Sequence, residues 1–315
     1  MRRLAFLLPW LALALAHEAT SFGTSGGSAD TRRLLVFTLL FLVGFLAAGY
    51  WGYRRAKKSG GKEILWAVFP VAVTGVVALM AGMAVLNFSL PQKPALTLEV
   101  EAQRYWWRIR YPGGLETASE AWIPVGVPVE MRATAKDVFH TLSIPGLNVK
   151  IDAIPGQTTR TTFTAKRVGL YAGGEAEYVG PSWDKARFRL LALPPEVYEE
   201  LMAAINAYTS PRPPPVFLAR CASCHTISGT AAKGKVGPDL TLFGLRTALG
   251  SGVWPNTPDF LRPWIQNAPG MKPGVKMPPF KDLTPEELET LVNYLKGLKP
   301  AGQDLRLWAK KGLKP

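Results

Sequence analysis

Residues 221–225 read Cys221-Ala222-Ser223-Cys224-His225, and they contain both cysteines of a 315-residue chain. Two thiols at this spacing can each form a thioether with one vinyl group of a single porphyrin. The next residue then presents an imidazole to the iron, and C-x-x-C-H is the attachment signature of c-type haem. Other chemistries also use paired thiols. A zinc site needs more nitrogen and sulfur ligands than a chain with three histidines and two cysteines supplies. A redox dithiol belongs with a strand–helix–strand unit, which is missing around residue 221. The reading is one covalent haem c, tethered by Cys221 and Cys224 and ligated by His225.

The flanks agree. Phe217 stands one turn ahead of Cys221 on an expected helix. Thr284-Pro285-Glu286-Glu287 is a capping box with proline at the first helical position. It opens a helix whose Leu288, Leu291, Val292, Leu295 and Leu298 keep helical spacing. With Gly237-Pro238-Asp239-Leu240, these parts resemble the small all-α cytochromes c of class I, over about residues 212 to 300. The resemblance implies that the Pro238 carbonyl accepts the imidazole N–H, a bond that fixes ring and basicity. It also implies that Met277, in Lys276-Met277-Pro278-Pro279-Phe280, is the second axial ligand. Met271, in a Pro/Gly-rich approach, is read as a residue that packs or stays exposed. His/Met ligation raises the potential and leaves no open position on iron, which favours electron transfer over peroxidase or gas-binding chemistry.

Upstream, residues 194–215 read as a short helix followed by a linker, Thr209 to Pro215, with four prolines. Such spacers extend and stiffen, so two modules held apart are expected here. Downstream of the cytochrome c module (216–300), the tail 301–315 is basic, with Lys310, Lys311 and Lys314 read as solubilising.

Residues 95–193 have a different texture. Leu96, Leu98 and Val100 alternate with Thr97, Glu99 and Glu101, the period of a half-buried strand. Further short runs, Val127 to Ala133, Thr159 to Thr164 and Arg187 to Leu193, lie between Pro/Gly turns, which predicts a β-sandwich or barrel. Arg104-Tyr105-Trp106-Trp107-Arg108 is dense in aromatics. Adjacent strand residues face opposite ways, so one tryptophan belongs in the core and its neighbour on the surface.

The order of parts resembles subunit II of haem-copper oxidases. The aromatic strand is similar to that family's own, as are Ile123-Pro124-Val125-Gly126, Asp137-Val138-Phe139-His140 and Lys150 to Gly156. The resemblance, over roughly residues 30 to 195, implies an external cupredoxin-like domain on a membrane hairpin. It further implies Trp106 and Trp107 as an electron route. In the family a loop of two thiolates, an imidazole and a thioether holds the dinuclear copper centre CuA. Here Glu175 and Val179 stand at the thiolate positions, Trp183 at the imidazole and Ala186 at the thioether. Only His140, Glu177 and Gly180 remain from that pattern. Thiolates are what hold copper in such sites, and both cysteines lie elsewhere. The expectation is a cupredoxin domain without CuA copper, with His140 a polar residue hydrogen-bonded near the barrel surface.

The N-terminal part is apolar. Met1-Arg2-Arg3 and the run Leu4 to Leu15, closed by Ala14-Leu15-Ala16, read as a signal peptide over 1–16. Helices over 34–53 and 64–86, within residues 30–90, are long enough to span a bilayer. The loop between them carries Arg54, Arg55, Lys57, Lys58 and Lys62, which keeps it cytoplasmic. A multi-pass inner-membrane protein with both large domains on the outer, periplasmic face follows. Net charge is +14, but an external domain does not meet cytoplasmic nucleic acid, so that partner is excluded.

Together these features imply a non-catalytic electron-transfer subunit of a membrane haem-copper oxidoreductase. Its donor is a cytochrome or a quinol-oxidising complex, and its acceptor a subunit I-like catalytic partner. That partner reduces O2, as in the oxidase family, or NO, since haem c without CuA is similar to the small subunit of nitric oxide reductases. The alternative is a free-standing, membrane-anchored cytochrome c carrier.

Overall fold

The computed structural model describes residues 93–310, a segment at 72–83 and a few single residues between 43 and 57. Residues 72–83 are helical, with Val73, Val76, Val77, Met80 and Met83 exposed. Among the described residues no helix is long and apolar enough to cross a membrane. The signal peptide expected over 1–16, most of the first hairpin helix and about half of the second lie outside the described residues.

Residues 93 to 310 begin with ten strands. These are β1 (Leu96–Gln103), β2 (Trp106–Arg110), β3 (Glu116–Ala118), β4 (Glu120–Pro124), β5 (Pro128–Ala135), β6 (His140–Ile144), β7 (Val149–Ala153), β8 (Thr159–Thr164), β9 (Gly169–Glu175) and β10 (Arg187–Leu193). They form two five-stranded sheets, β3-β2-β1-β5-β8 and β4-β10-β9-β6-β7. Pairing is antiparallel except for β1 with β5 and β4 with β10. Leu98, Val100 and Ala102 of β1 and Val129, Met131 and Ala133 of β5 are buried between the sheets, while the alternate residues are not. Period-2 patterning thus produces the sandwich directly.

Strand β4 departs from that alternation, because all five of its residues are buried. Ala121 and Ile123 face the sandwich core, and Trp122 belongs to a second core on the outer side of the sheet. The latter is built from Trp122, Leu191 and Leu193 of the barrel, Leu201 of helix α1 (Pro195–Asn206), and Leu242 and Leu245 of the following module. Leu305 of the tail completes it, 2% exposed.

One expectation is corrected here. The proline-rich linker does not hold two modules apart: they share this apolar core, Pro213 is buried, and the Pro211 carbonyl accepts from the Tyr294 hydroxyl at 3.0 Å. The tail joins the same core. Leu305 is buried, and α5 (Arg306–Lys310) packs Trp308 onto the same cluster.

The C-terminal module contains α2 (Pro215–Arg220), a two-residue hairpin of β11 (Ala248–Leu249) and β12 (Trp254–Pro255), α3 (Pro258–Met271) and α4 (Pro285–Gly297). The capping box forms as its residues dictate. Thr284 Oγ1 accepts from Glu287 N–H at 3.2 Å, and the Glu287 carboxylate accepts from Thr284 N–H at 3.0 Å. Leu288, Leu291, Val292 and Leu295 then lie on the buried face of α4. Phe217 of α2, fully buried, meets Tyr294 of α4 at 5.5 Å between ring centroids, so the first and last helices of the module pack together.

Candidate functional site

After α2 the chain winds tightly through the cysteine motif. Cys221 N–H bonds the Phe217 carbonyl at 2.8 Å, and His225 N–H bonds that of Cys221 at 3.0 Å. This turn places Cys221, Cys224 and His225 on the wall of a cavity of about 700 Å³, well within the size range of cofactor sites. His225 Nδ1 lies 2.8 Å from the Pro238 carbonyl oxygen. A carbonyl only accepts, so Nδ1 carries the proton and the lone pair is left on Nε2. Burial holds the imidazole below its ordinary pKa, so it is neutral near pH 7. Gly237 leaves room for the ring: a Cβ there would meet its Cε1 at 2.5 Å and Nδ1 at 2.8 Å.

Met277 lines the same cavity, between Lys276 and Pro278, whereas Met271 is not among the lining residues. Phe217, Leu261, Trp264 and Leu291 make much of the remaining wall apolar. Burial pushes the Cys221 thiol up to about 11, opposite to the lowered pKa of a reactive redox dithiol.

The cavity fits a haem on its chemistry. It offers two thiols, one imidazole with a free nitrogen, a thioether and an apolar lining. It also offers Arg246, which sequence reasoning missed. This side chain is 6% exposed, gives Nη2 to the Asp239 carbonyl, and has a buried Nε without a partner among the described residues. An orphaned guanidinium N–H on the wall calls for an anionic acceptor, and a haem propionate is one. The only trace of it in the sequence is a cation inside the apolar run Leu240 to Leu249.

The cavity is not confined to the helical module. Gln103, Arg104, Tyr105 and Trp106 of the barrel line it as well. Trp106 is half-buried beneath the Arg108 guanidinium, 5.2 Å from its ring centroid. Trp107 points the other way, into the sandwich core and 1% exposed. Its Nε1 donates to the Ala186 carbonyl at 3.1 Å, and its ring packs edge-on against His140 at 5.8 Å. One dipeptide therefore connects the cavity with the loop where the family resemblance puts copper.

That loop is held by acid–base pairing. His140 is buried rather than near the surface, which corrects the expectation. Its Nδ1 lies 2.5 Å from Glu175 Oε2 and its Nε2 2.8 Å from Asp137 Oδ1. Carboxylates accept, so both ring nitrogens carry protons and the ring is an imidazolium. Burial alone would lower its pKa, but the bonds and charges of Glu175 and Asp137 outweigh burial and raise it. Glu175 also accepts from Thr141 N–H at 2.9 Å and Glu177 N–H at 3.3 Å.

The two modules match separate families. A model described as cytochrome c oxidase subunit II, periplasmic domain, matches residues 99–185, and one described as cytochrome c matches residues 215–299. Cytochrome c oxidase subunit 2 of Alkalihalophilus pseudofirmus is 29% identical, over 84% of this chain and 82% of its own length. Its counterpart from Bacillus subtilis (strain 168) is 26% identical, over 75% and 74%. Among solved structures, the periplasmic domain of subunit II from Bradyrhizobium japonicum aligns with 36% of this chain and 96% of its own, at 23% identity and a TM-score of 0.35.

Proposed function

With a cytochrome c oxidase subunit II periplasmic domain at residues 99–185 and a cytochrome c domain at 215–299, we propose that this chain is the electron-delivery subunit of a membrane haem-copper oxidoreductase. It takes electrons from a donor into haem c and passes them to a subunit I-like catalytic partner that reduces O2 or NO, with no copper relay of its own. When bound, the haem supplies a one-electron iron couple. Cys221 and Cys224 would tether it, His225 and Met277 would supply an imidazole and a thioether to the iron, and Arg246 would meet a propionate. Pro238 and Gly237 fix the imidazole, which keeps reorganisation on electron transfer small.

One observation carries this reading: a single cavity is walled by the cysteine motif, by Met277 and by Tyr105 and Trp106 of the barrel. An electron leaving the cavity on that side enters the aromatic strand, and the next residue, Trp107, touches His140 under the loop 174–186. The thiolate positions of that loop hold Glu175 and Val179, and the buried Glu175–His140 pair already neutralises the charge there.

The test is to purify the complex from its native membrane, reduce haem c, and follow its reoxidation on adding O2 and, separately, NO. The reading expects co-purification of a larger membrane subunit and rapid reoxidation by one of the two gases. A chain that purifies alone, with haem c inert to both, contradicts it and favours the free-standing carrier.

A further inference from the structure

Lys272 follows directly after α3 and is 1% exposed, although it is a lysine. Its Nζ donates to three backbone carbonyls: Tyr105 at 2.6 Å, Lys185 at 2.8 Å and Gly250 at 3.2 Å. An ammonium has three N–H groups, so the three acceptors satisfy it completely. Two of them belong to the barrel. Tyr105 opens the aromatic strand, and Lys185 lies in the loop between β9 and β10. The same loop reaches back. Ser182 Oγ donates to the Pro273 carbonyl at 2.8 Å and Lys185 Nζ to the Met271 carbonyl at 3.3 Å. Around the Tyr105 ring both sides come close through glycine. A Cβ on Gly180 of the loop would meet the Tyr105 hydroxyl at 2.5 Å, and one on Gly274 of the helical module would meet the ring at 2.9 Å. Both glycines have positive φ, 124° and 82°, a conformation that side chains resist.

We infer that the barrel loop 175–186 is a socket for residues 271–274, with Lys272 as its plug, and that it holds the cytochrome module in one fixed pose. The module is then a stationary relay and not a shuttle swinging on its proline-rich tether. The inference rests on the electron-delivery reading for its purpose, but the docking itself does not depend on electron flow. The His140–Glu175 pair braces the loop from below, while Ser182 and Lys185, which stand between the positions of the lost copper ligands, make the docking contacts. The segment plugged into the socket runs directly to Met277, which ties the sixth-ligand loop to the barrel.

The test uses the full chain in its detergent-extracted complex, with a protease site placed in the linker at 209–212. After cleavage, the haem-bearing fragment of the otherwise wild-type chain is expected to stay with the barrel through size-exclusion chromatography. Lys272→Met keeps the length of the side chain but takes the ammonium away from the part-buried Lys185 and Gly250 carbonyls, while the Tyr105 carbonyl keeps Ser251 Oγ at 2.7 Å, and should weaken retention roughly thirtyfold. Ser182→Ala, which removes a single bond, should weaken it about fivefold. If Lys272→Met yields no haem-bearing chain, Ser182→Ala combined with Lys185→Ala is read in the same way. Separation of the cleaved wild-type fragments, or retention of the Lys272→Met fragment as tight as wild type, overturns the fixed socket. A fragment that carries no haem at all contradicts the electron-delivery reading instead.

Discussion

The imidazole of His140 is clasped between two carboxylates, Glu175 at 2.5 Å from Nδ1 and Asp137 at 2.8 Å from Nε2. Where the subunit II resemblance puts a dinuclear copper centre, this chain has a protonated ring and two acids. The loop stays closed through the hydrogen bonds that Glu175 accepts from His140, Thr141 and Glu177.

This pairing makes stability depend on pH. The imidazole has its pKa raised above the ordinary 6.5, so its stabilisation is complete below that value and is lost as pH rises through the folded pKa. Asp137 is held at about 2, where its hydrogen bonds from Arg104, His140 and Val138 outweigh burial. Its stabilisation is present above its ordinary 3.8 and is lost as pH falls toward 2. Both are complete near pH 5 to 6, roughly. Melting temperature should therefore decline as pH is raised from neutral to about 9. His140→Gln should melt lower at pH 6 and lose most of that alkaline decline. An unchanged slope in the variant contradicts the pairing.

Met277→Ala should keep covalent haem, because both tethers remain, but lose the low-spin His/Met spectrum. Its reduction potential should drop by on the order of 100 mV, within the roughly 0.8 V that axial ligands command. Met271→Leu should alter neither. Optical spectra and redox titration of the two variants check this, and a reversed pattern would reassign the sixth ligand.

Gly237→Ala tests the imidazole seat. The new methyl would press into the His225 ring at 2.5 Å, and the ring is held by Pro238 on the other side of Nδ1. The expected outcome is haem still attached through Cys221 and Cys224, with a high-spin fraction visible at neutral pH. A spectrum identical to wild type would show that the ring has room to move.

Glu120→Ala tests the joint between modules. This carboxylate is 1% exposed and accepts from Thr247 N–H at 3.0 Å, Trp122 Nε1 at 3.1 Å and Arg189 Nε at 3.4 Å. Leaving Arg189 and Thr247 without it should cost about 3–5 kcal/mol. Thermal unfolding should drop accordingly, and the modules should melt in two steps where the wild type melts in one.

Much of this was legible in the sequence. Alternation located β1, short runs between Pro/Gly turns located β5, β8 and β10, the capping box located α4, and C-x-x-C-H located the cavity wall. Of the pair, Trp107 does go to the core, whereas Trp106 is half-buried on the cavity wall and not on the open surface. What escaped was the contact between modules. Trp122, Leu201, Leu245 and Leu305 each look like ordinary residues of a local element, and nothing in their spacing says that they meet. Lys272 sits in a Pro/Gly-rich stretch that reads as a solvated loop, since a buried lysine is recognisable only from the carbonyls that surround it. Arg246 and Glu120 were overlooked for the same reason: their partners come from distant parts of the chain.

The central claim is that this chain carries a single redox centre, haem c, and none in the barrel. Haem and metal analysis of the purified full-length chain tests it most directly. The expected result is one haem bound through thioethers per chain, with no stoichiometric copper. Two coppers per chain with a mixed-valence signal, or haem that extracts freely into acid acetone, would contradict it.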